Sequence, residues 1–277
     1  MTQQAATVPS HGRFIGIDLN EGIRPSHRLA FYRTCYAAIL LATFGPQTQP
    51  FLLNEVLKVD PSTQGVISGN LNFWGEIVII LTVGIWGSLS DTLGRRWVTT
   101  LGFILIAGGI MLYGLVRDLN GRLFARVIYS AGIAAVSTML ITLMADYATD
   151  SSRGKATGLL GVMNGLGAMT AALFLLRLPA LYQGNGMDAE EAAFATYGTM
   201  AVVTTAIGAA MFFGLKKGKG HHHEDAPPLL QQFKEGIAEA RRPIIALAYA
   251  ASFVARGNLA VVGTFFTLWA SIYGTTE

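Results

Sequence analysis

Apolar residues in this chain gather into seven long runs separated by short polar stretches. Each run reaches the roughly 20 residues that a helix needs to cross a bilayer. The runs are Leu29–Leu53, Gly65–Gly87, Trp97–Val116, Leu123–Tyr147, Gly158–Leu178, Ala192–Leu215 and Ile244–Tyr273. No stretch shows strand patterning, so the chain predicts helices throughout and speaks against an outer-membrane barrel. The first run carries Pro46 and Pro50 around Gln47-Thr48-Gln49. Proline removes an N–H from the helix and bends it, which is tolerable only where neighbours satisfy the freed groups. Gln47, Gln49 and the deeper Tyr36 either face a cavity or cap carbonyls freed near Pro50.

Composition agrees with lipid as the solvent. Hydrophobic residues make up 52% and charged residues 13% of the chain, and the mean hydropathy is +0.44. A soluble domain carries about twice that share of charge. The 32 glycines suit helices packed closely in a membrane. Cys35 is the one cysteine, which excludes an intramolecular disulfide. Residues 1–28 are polar and basic without an apolar core, so no cleavable signal peptide is expected and the first run acts as the signal anchor.

The basic residues orient the bundle. With the N-terminus inside, cytoplasmic segments hold Arg13, Arg24, Arg28 and Arg33, then Arg95 and Arg96, then Arg153 and Lys155. Six more follow the sixth run, from Lys216 to Arg242, whereas the outer segments hold Lys58, Arg117, Arg122 and Arg177. The bias places the N-terminus in the cytoplasm. It is no nucleic-acid footprint.

The 216–243 connector differs from the other loops. After a polar stretch, Pro227-Pro228 opens a segment in which Leu230, Phe233 and Ile237 share one helical face, with Lys234, Arg241 and Arg242 off it. This predicts an interfacial helix on the cytoplasmic leaflet. His221-His222-His223-Glu224 invites a metal reading, but consecutive histidines in a Gly/Lys-rich connector read as a solvated segment, and no metal site is expected.

Candidate chemistry concentrates in the stretch Gly87-Ser88-Leu89-Ser90-Asp91-Thr92-Leu93-Gly94-Arg95-Arg96 between the second and third runs. Asp91 and Arg95 are four residues apart and pair if the stretch is helical. Gly87 and Gly94 permit close approach or positive φ. Farther on, Arg126-Val127-Ile128-Tyr129-Ser130-Ala131-Gly132 opens the fourth run, and Asp146 closes it before Arg153-Gly154-Lys155-Ala156-Thr157-Gly158.

The first stretch resembles the signature loop of the major facilitator superfamily, Gly-x-Leu-x-Asp-x-x-Gly-Arg-Arg/Lys, and matches it at every defining position. The second is similar to the superfamily's Arg-x-x-x-Gly-x-Gly, with Ser130 in place of the first glycine. The third follows its Asp…Arg-Gly-x-x-x-Gly pattern. The resemblance implies an all-α membrane protein built from two six-helix bundles and working by alternating access. It divides the chain into a tail (1–28), a six-helix bundle (29–215), a connector (216–243) and the first helix of a second bundle (244–277). The sequence is then expected to continue for five more spans. Gly87, Asp91, Gly94, Arg95, Arg96, Asp146 and Arg153 become a conformational switch, with Asp146 partnering Arg95 or Arg96. In the fifth run Gly161, Gly165 and Gly167 lack the proline of drug–proton antiporters and read as a packing seam.

Ionisable groups at bilayer depth are costly, about 2.5–3.5 kcal/mol each on insertion scales, and mark function by default. Asn72 and Glu76 form a polar stripe in the second run. Glu76 is either a proton-titrating or substrate-contacting group, paired with Arg126, or a structural glutamate between helices. Arg256 and Asn258 in the seventh run are further candidates for substrate contact. There is no Gly-x-Ser-x-Gly, His-Glu-x-x-His, phosphate loop or dinucleotide fingerprint. No enzyme activity or cofactor is expected. The partners implied are a small-molecule substrate, the lipid bilayer of the cell membrane (inner or plasma) and protons. The competing reading is a transport-inactive receptor or scaffold on the same fold.

Overall fold

A computed structural model describes residues 13–217, 229–266 and 268–270. Nine helices organise them: α1 Pro25–Phe51, α2 Pro61–Leu93, α3 Arg95–Leu115, α4 Leu119–Tyr147, α5 Arg153–Leu173, α6 Leu178–Gly184, α7 Ala189–Gly214, α8 Leu229–Glu239 and α9 Pro243–Ala260. Local chemistry sets their starts. Asp60 caps α2 ahead of Pro61, and Asp118 accepts from the Gly121 N–H to cap α4. Asp188 and Glu191 bond each other's backbone N–H in a capping box that opens α7.

Among the described residues, five segments are long and apolar enough to cross a membrane: Pro61–Leu93, Arg95–Leu115, Leu119–Tyr147, Asp150–Gly184 and Ala189–Gly214. The protein is a multi-pass membrane protein. The sequence pattern predicts seven runs. Of the other two, α1 has the length at 27 residues, but Arg28, Arg33 and the Pro46–Pro50 stretch dilute its hydropathy. Ile244–Tyr273 is divided between the 18 residues of α9 and a π-helical turn, Val261–Phe266, and its end lies outside the described residues. So do the first 12 residues, the His221-His222-His223-Glu224 run and the closing Gly-Thr-Thr-Glu. Helix α8 falls where the interfacial helix is expected, with Ile237 exposed; the Leu230 and Phe233 side chains lie outside the described set.

α3 packs against α4 and α7, α1 against α5, and α2 against α4. The α3–α4 crossing requires Gly132, where a Cβ would stand 2.7 Å from both the Gly102 carbonyl oxygen and the Ile106 nitrogen. In α5 only Gly167 meets a neighbouring helix, its Cβ position 2.4 Å from the Tyr36 carbonyl oxygen, while a Cβ at Gly161 or Gly165 would point into open space. The packing seam therefore reduces to one glycine among the described residues. Both prolines of α1 lie inside continuous helix, which loosens into a π-helical turn at Leu52–Val56 just after them.

One departure from the all-helical expectation is a two-stranded hairpin, β1 Arg13–Phe14 and β2 Ile17–Asp18. The alternation Ile17-x-Leu19 is too short to register as a strand signal. Ile17, Leu19 and Ile23 are nevertheless buried, so this part of the predicted polar tail packs onto the bundle. Leu19 bridges Ala148, and the Thr149 N–H donates to the Asp18 carbonyl at 3.1 Å.

Candidate functional site

α2 runs unbroken through the signature stretch to Leu93, so the turn to α3 is the single residue Gly94. Its φ of 98° with ψ of 147° is a backbone conformation that side chains of L-residues rarely adopt. The Gly94 N–H still closes onto the Ser90 carbonyl at 3.0 Å. The reversal brings Arg95 back over the last turn of α2.

There Arg95 joins three helices. Its Nη1 donates to Asp91 Oδ1 at 2.6 Å, on α2, and to the Ser90 hydroxyl. Its Nε donates to Asp146 Oδ2 at 3.1 Å, on α4. The arginine side chain is 13% exposed, against 42% for Asp91 and 28% for Asp146. A planar guanidinium with five N–H donors holds two carboxylates and a hydroxyl at once, which an ammonium group does less well. Of the two partners open to Asp146 from sequence, the structure selects Arg95.

Arg96 turns elsewhere. Its guanidinium lies 4.2 Å from the centre of the Phe212 ring, anchoring α3 to α7. Arg153 pairs with Asp150 at 2.8 Å, three residues away and well exposed, apart from the Arg95 cluster. Gly87 lines the α2–α4 contact, where a Cβ would meet Thr138 Cγ2 at an ordinary 3.9 Å. The seven proposed switch residues thus divide into a core of Asp91, Gly94, Arg95 and Asp146 and a periphery of Gly87, Arg96 and Arg153.

The N-terminal segment closes around that core. The Asn20 side-chain amide donates to the carbonyl of Asp146 at 3.0 Å, and the Asn20 N–H donates to that of Tyr147 at 3.0 Å. The Asp18 N–H donates to Ser152 Oγ at 2.9 Å, and the Tyr147 hydroxyl accepts from the Lys216 N–H at 3.1 Å. Residues before α1, after α4 and after α7 are tied together beside Asp146. Sequence reading missed Asn20 because its partners are backbone carbonyls 126 and more residues away.

A second polar cluster sits deeper. Arg126 Nη2 donates to Asn72 Oδ1 at 2.5 Å, and Asn72 Nδ2 donates to Thr264 Oγ1 at 2.9 Å. Asn72 therefore links α2, α4 and the π-helical turn after α9. Arg126 is 7% exposed, and its acceptor is the Asn72 amide in place of the Glu76 carboxylate expected from sequence. Glu76 stands one helical turn beyond Asn72, partly buried. Arg256 and Asn258 fall on α9, and their side chains lie outside the described set. Tyr36 is engaged with Thr170 Oγ1 at 2.9 Å, and Gln49 with Ser68 Oγ at 2.8 Å, so both brace helices against each other. Among the described residues, no three His, Cys, Asp or Glu side chains are grouped to hold a metal ion.

Comparison with known proteins extends this geometry. Residues 34–276 match the family model of the Major Facilitator Superfamily. The chain is 25% identical over 254 residues to the magnetosome protein MamH of Paramagnetospirillum magneticum, covering 87% of this chain and 55% of that protein. It is likewise 25% identical over 263 residues to MamZ of the same organism, covering 88% of this chain and 38% of the relative. The arabinose-proton symporter of Bacillus subtilis is 25% identical over 166 residues, which cover 57% of this chain and 35% of the symporter. The chain thus spans between about a third and just over half of the length of these relatives.

Proposed function

The chain belongs to the Major Facilitator Superfamily, and from that premise we propose that it forms the first bundle, with the start of the second, of a secondary active transporter. The whole protein moves a small solute by alternating access, coupled to protons, and carries out no enzymatic chemistry. The observation that carries this reading is the Arg95 centre, one partly buried cation holding carboxylates from α2 and α4 at a single helix reversal. Such a joint stabilises one arrangement of the helices and is lost when they move apart. The similarity to an arabinose-proton symporter supports coupled solute carriage at the level of class.

In this reading the Arg95 end faces the cytoplasm of a cell-membrane protein. The apolar faces of α2 and α5 remain largely uncovered, with Phe73, Ile80, Leu81, Val162, Leu166 and Met169 exposed. They are surfaces for lipid and for the remainder of a longer transporter. Asn72, Glu76 and Arg126 supply the coupling and substrate contacts, joined by Arg256 and Asn258 from α9. Glu76, a carboxylate at bilayer depth, is the candidate for proton coupling.

The test combines topology with flux. Ser90 is fully buried and bonded to Arg95, so the exposed Thr92 is the reporter. Thr92→Cys labels only from the cytoplasmic side, and proteoliposomes of the full-length protein accumulate solute under an imposed proton gradient. External labelling overturns the orientation, and absence of flux across a broad solute panel overturns the carrier. Glu76→Gln with unaltered pH dependence of flux removes the proton role from that residue.

A further inference from the structure

At the end of the bundle remote from Arg95, a cavity of about 400 Å³ opens between α3, α4, α7 and the π-helical turn after α1. Arg122 and Tyr113 line it, with Arg117, Asp188, Glu190 and Glu191. Arg122 is 2% exposed, and its Nε and Nη1 are buried without a hydrogen-bond partner. The Tyr113 hydroxyl is buried and equally unsatisfied, within electrostatic reach of both Arg122 and Arg126. Burying a guanidinium without a hydrogen-bonded counter-ion is costly, and the charge cannot be shed by deprotonation.

Every carboxylate at the cavity is engaged elsewhere. Glu190 pairs with Arg117 at 2.7 Å, both exposed at the rim. Asp188 and Glu191 are exposed and committed to each other's backbone N–H in the α7 capping box. Asp118, one turn before Arg122, gives Oδ2 to the Gly121 N–H at 2.8 Å and acts on Arg122 through space, without a hydrogen bond to it. The neutral neighbour Tyr197 donates to Thr48 Oγ1 at 2.8 Å. The cavity therefore presents buried N–H donors and a hydroxyl with no acceptor supplied by the described residues.

We propose that this cavity is a binding site for a small oxyanion of the carboxylate or phosphate class, held by Arg122 with the Tyr113 hydroxyl as second donor. The Arg117–Glu190 pair stands at the mouth and favours small ligands. The site adjoins the Asn72–Arg126 cluster through Tyr113, which also lies beside Arg126, but it does not depend on whether the protein transports.

The test reads binding through thermal unfolding of the full-length protein in a neutral maltoside detergent, at constant ionic strength with chloride as the reference salt. Acetate, succinate and inorganic phosphate are the probes, since a ligand that binds only the native state raises its unfolding temperature. At least one oxyanion is expected to stabilise the protein saturably beyond chloride. Arg122→Met abolishes that response while unfolding no earlier than the parent without anion, because a buried guanidinium with unsatisfied donors has been removed. Tyr113→Phe weakens the affinity about tenfold, the worth of one charge-assisted hydrogen bond, and decides the matter if Arg122→Met does not fold. Arg117→Gln retains the response. Loss of the response to soluble anions in phosphatidylglycerol nanodiscs assigns the same chemistry to a lipid headgroup. No stabilisation beyond chloride, or a full response in Arg122→Met or Tyr113→Phe, overturns the site.

Discussion

Arg95 Nε meets Asp146 Oδ2 at 3.1 Å across the α3–α4 interface, while the same guanidinium holds Asp91 at 2.6 Å on α2. Neither bond stands alone, since both depend on the reversal at Gly94. Asp146→Asn is expected to weaken the joint by about 1 kcal/mol, the worth of a partly screened ion pair. That corresponds to a several-fold shift between helix arrangements, read as a change in transport rate with membrane insertion intact. Asp91→Asn acts in the same direction, and Arg95→Lys is no substitute because an ammonium lacks the planar fork.

Gly94→Ala places a side chain at φ 98°, at a cost of about 1–3 kcal/mol. Its measure is a lowered unfolding temperature by fluorescence-detected size-exclusion chromatography. Gly87→Ala, with only a 3.9 Å neighbour, leaves that temperature nearly unchanged. The contrast separates the turn glycine from the one that merely lies in a helix contact.

Asn72→Leu leaves the Arg126 Nη2 donor and the Thr264 hydroxyl without the partner they now share. Removing one partner of a buried charged hydrogen bond is expected to cost about 2–3 kcal/mol. Asn72→Asp restores an acceptor for Arg126 and recovers most of the loss. Equal destabilisation by both variants, measured by thermal unfolding, contradicts the assignment.

The clasp formed by residues before α1 is testable by Asn20→Ala, which removes the amide donor to the Asp146 carbonyl. A loss of about 1 kcal/mol is expected. Because the clasp grips the residue that pairs with Arg95, Asn20→Ala and Asp146→Asn should be non-additive when combined. Strict additivity shows that the two features are independent.

What was legible in the sequence follows from what is local. Asp91 and Arg95 lie one turn apart, and the glycine between them is an ordinary turn signal, so their pairing is readable from spacing. Asp146 was reachable through the family pattern, although choosing Arg95 over Arg96 required knowing that Phe212 waits on α7 for Arg96. Arg126 was visible as a charge at depth and Asn72 as part of a polar stripe with Glu76, but the two lie 54 residues apart and spacing alone favoured the carboxylate over the amide as the acceptor. The hairpin at Arg13–Asp18 escaped because its strands are two residues long and its partner is the end of α4. Arg122 read as a surface charge from position, and only packing against Tyr113 reveals its burial.

The account turns on whether the Arg95 joint governs movement of a solute across the membrane. The direct measurement is flux into proteoliposomes of the full-length protein, parent against Arg95→Met, over a panel of small sugars, carboxylates and cations under an imposed proton gradient. The parent is expected to accumulate at least one solute, and Arg95→Met to insert normally yet transport it at least tenfold more slowly. Equal rates in the two proteins, or a well-folded parent that moves nothing, contradict it.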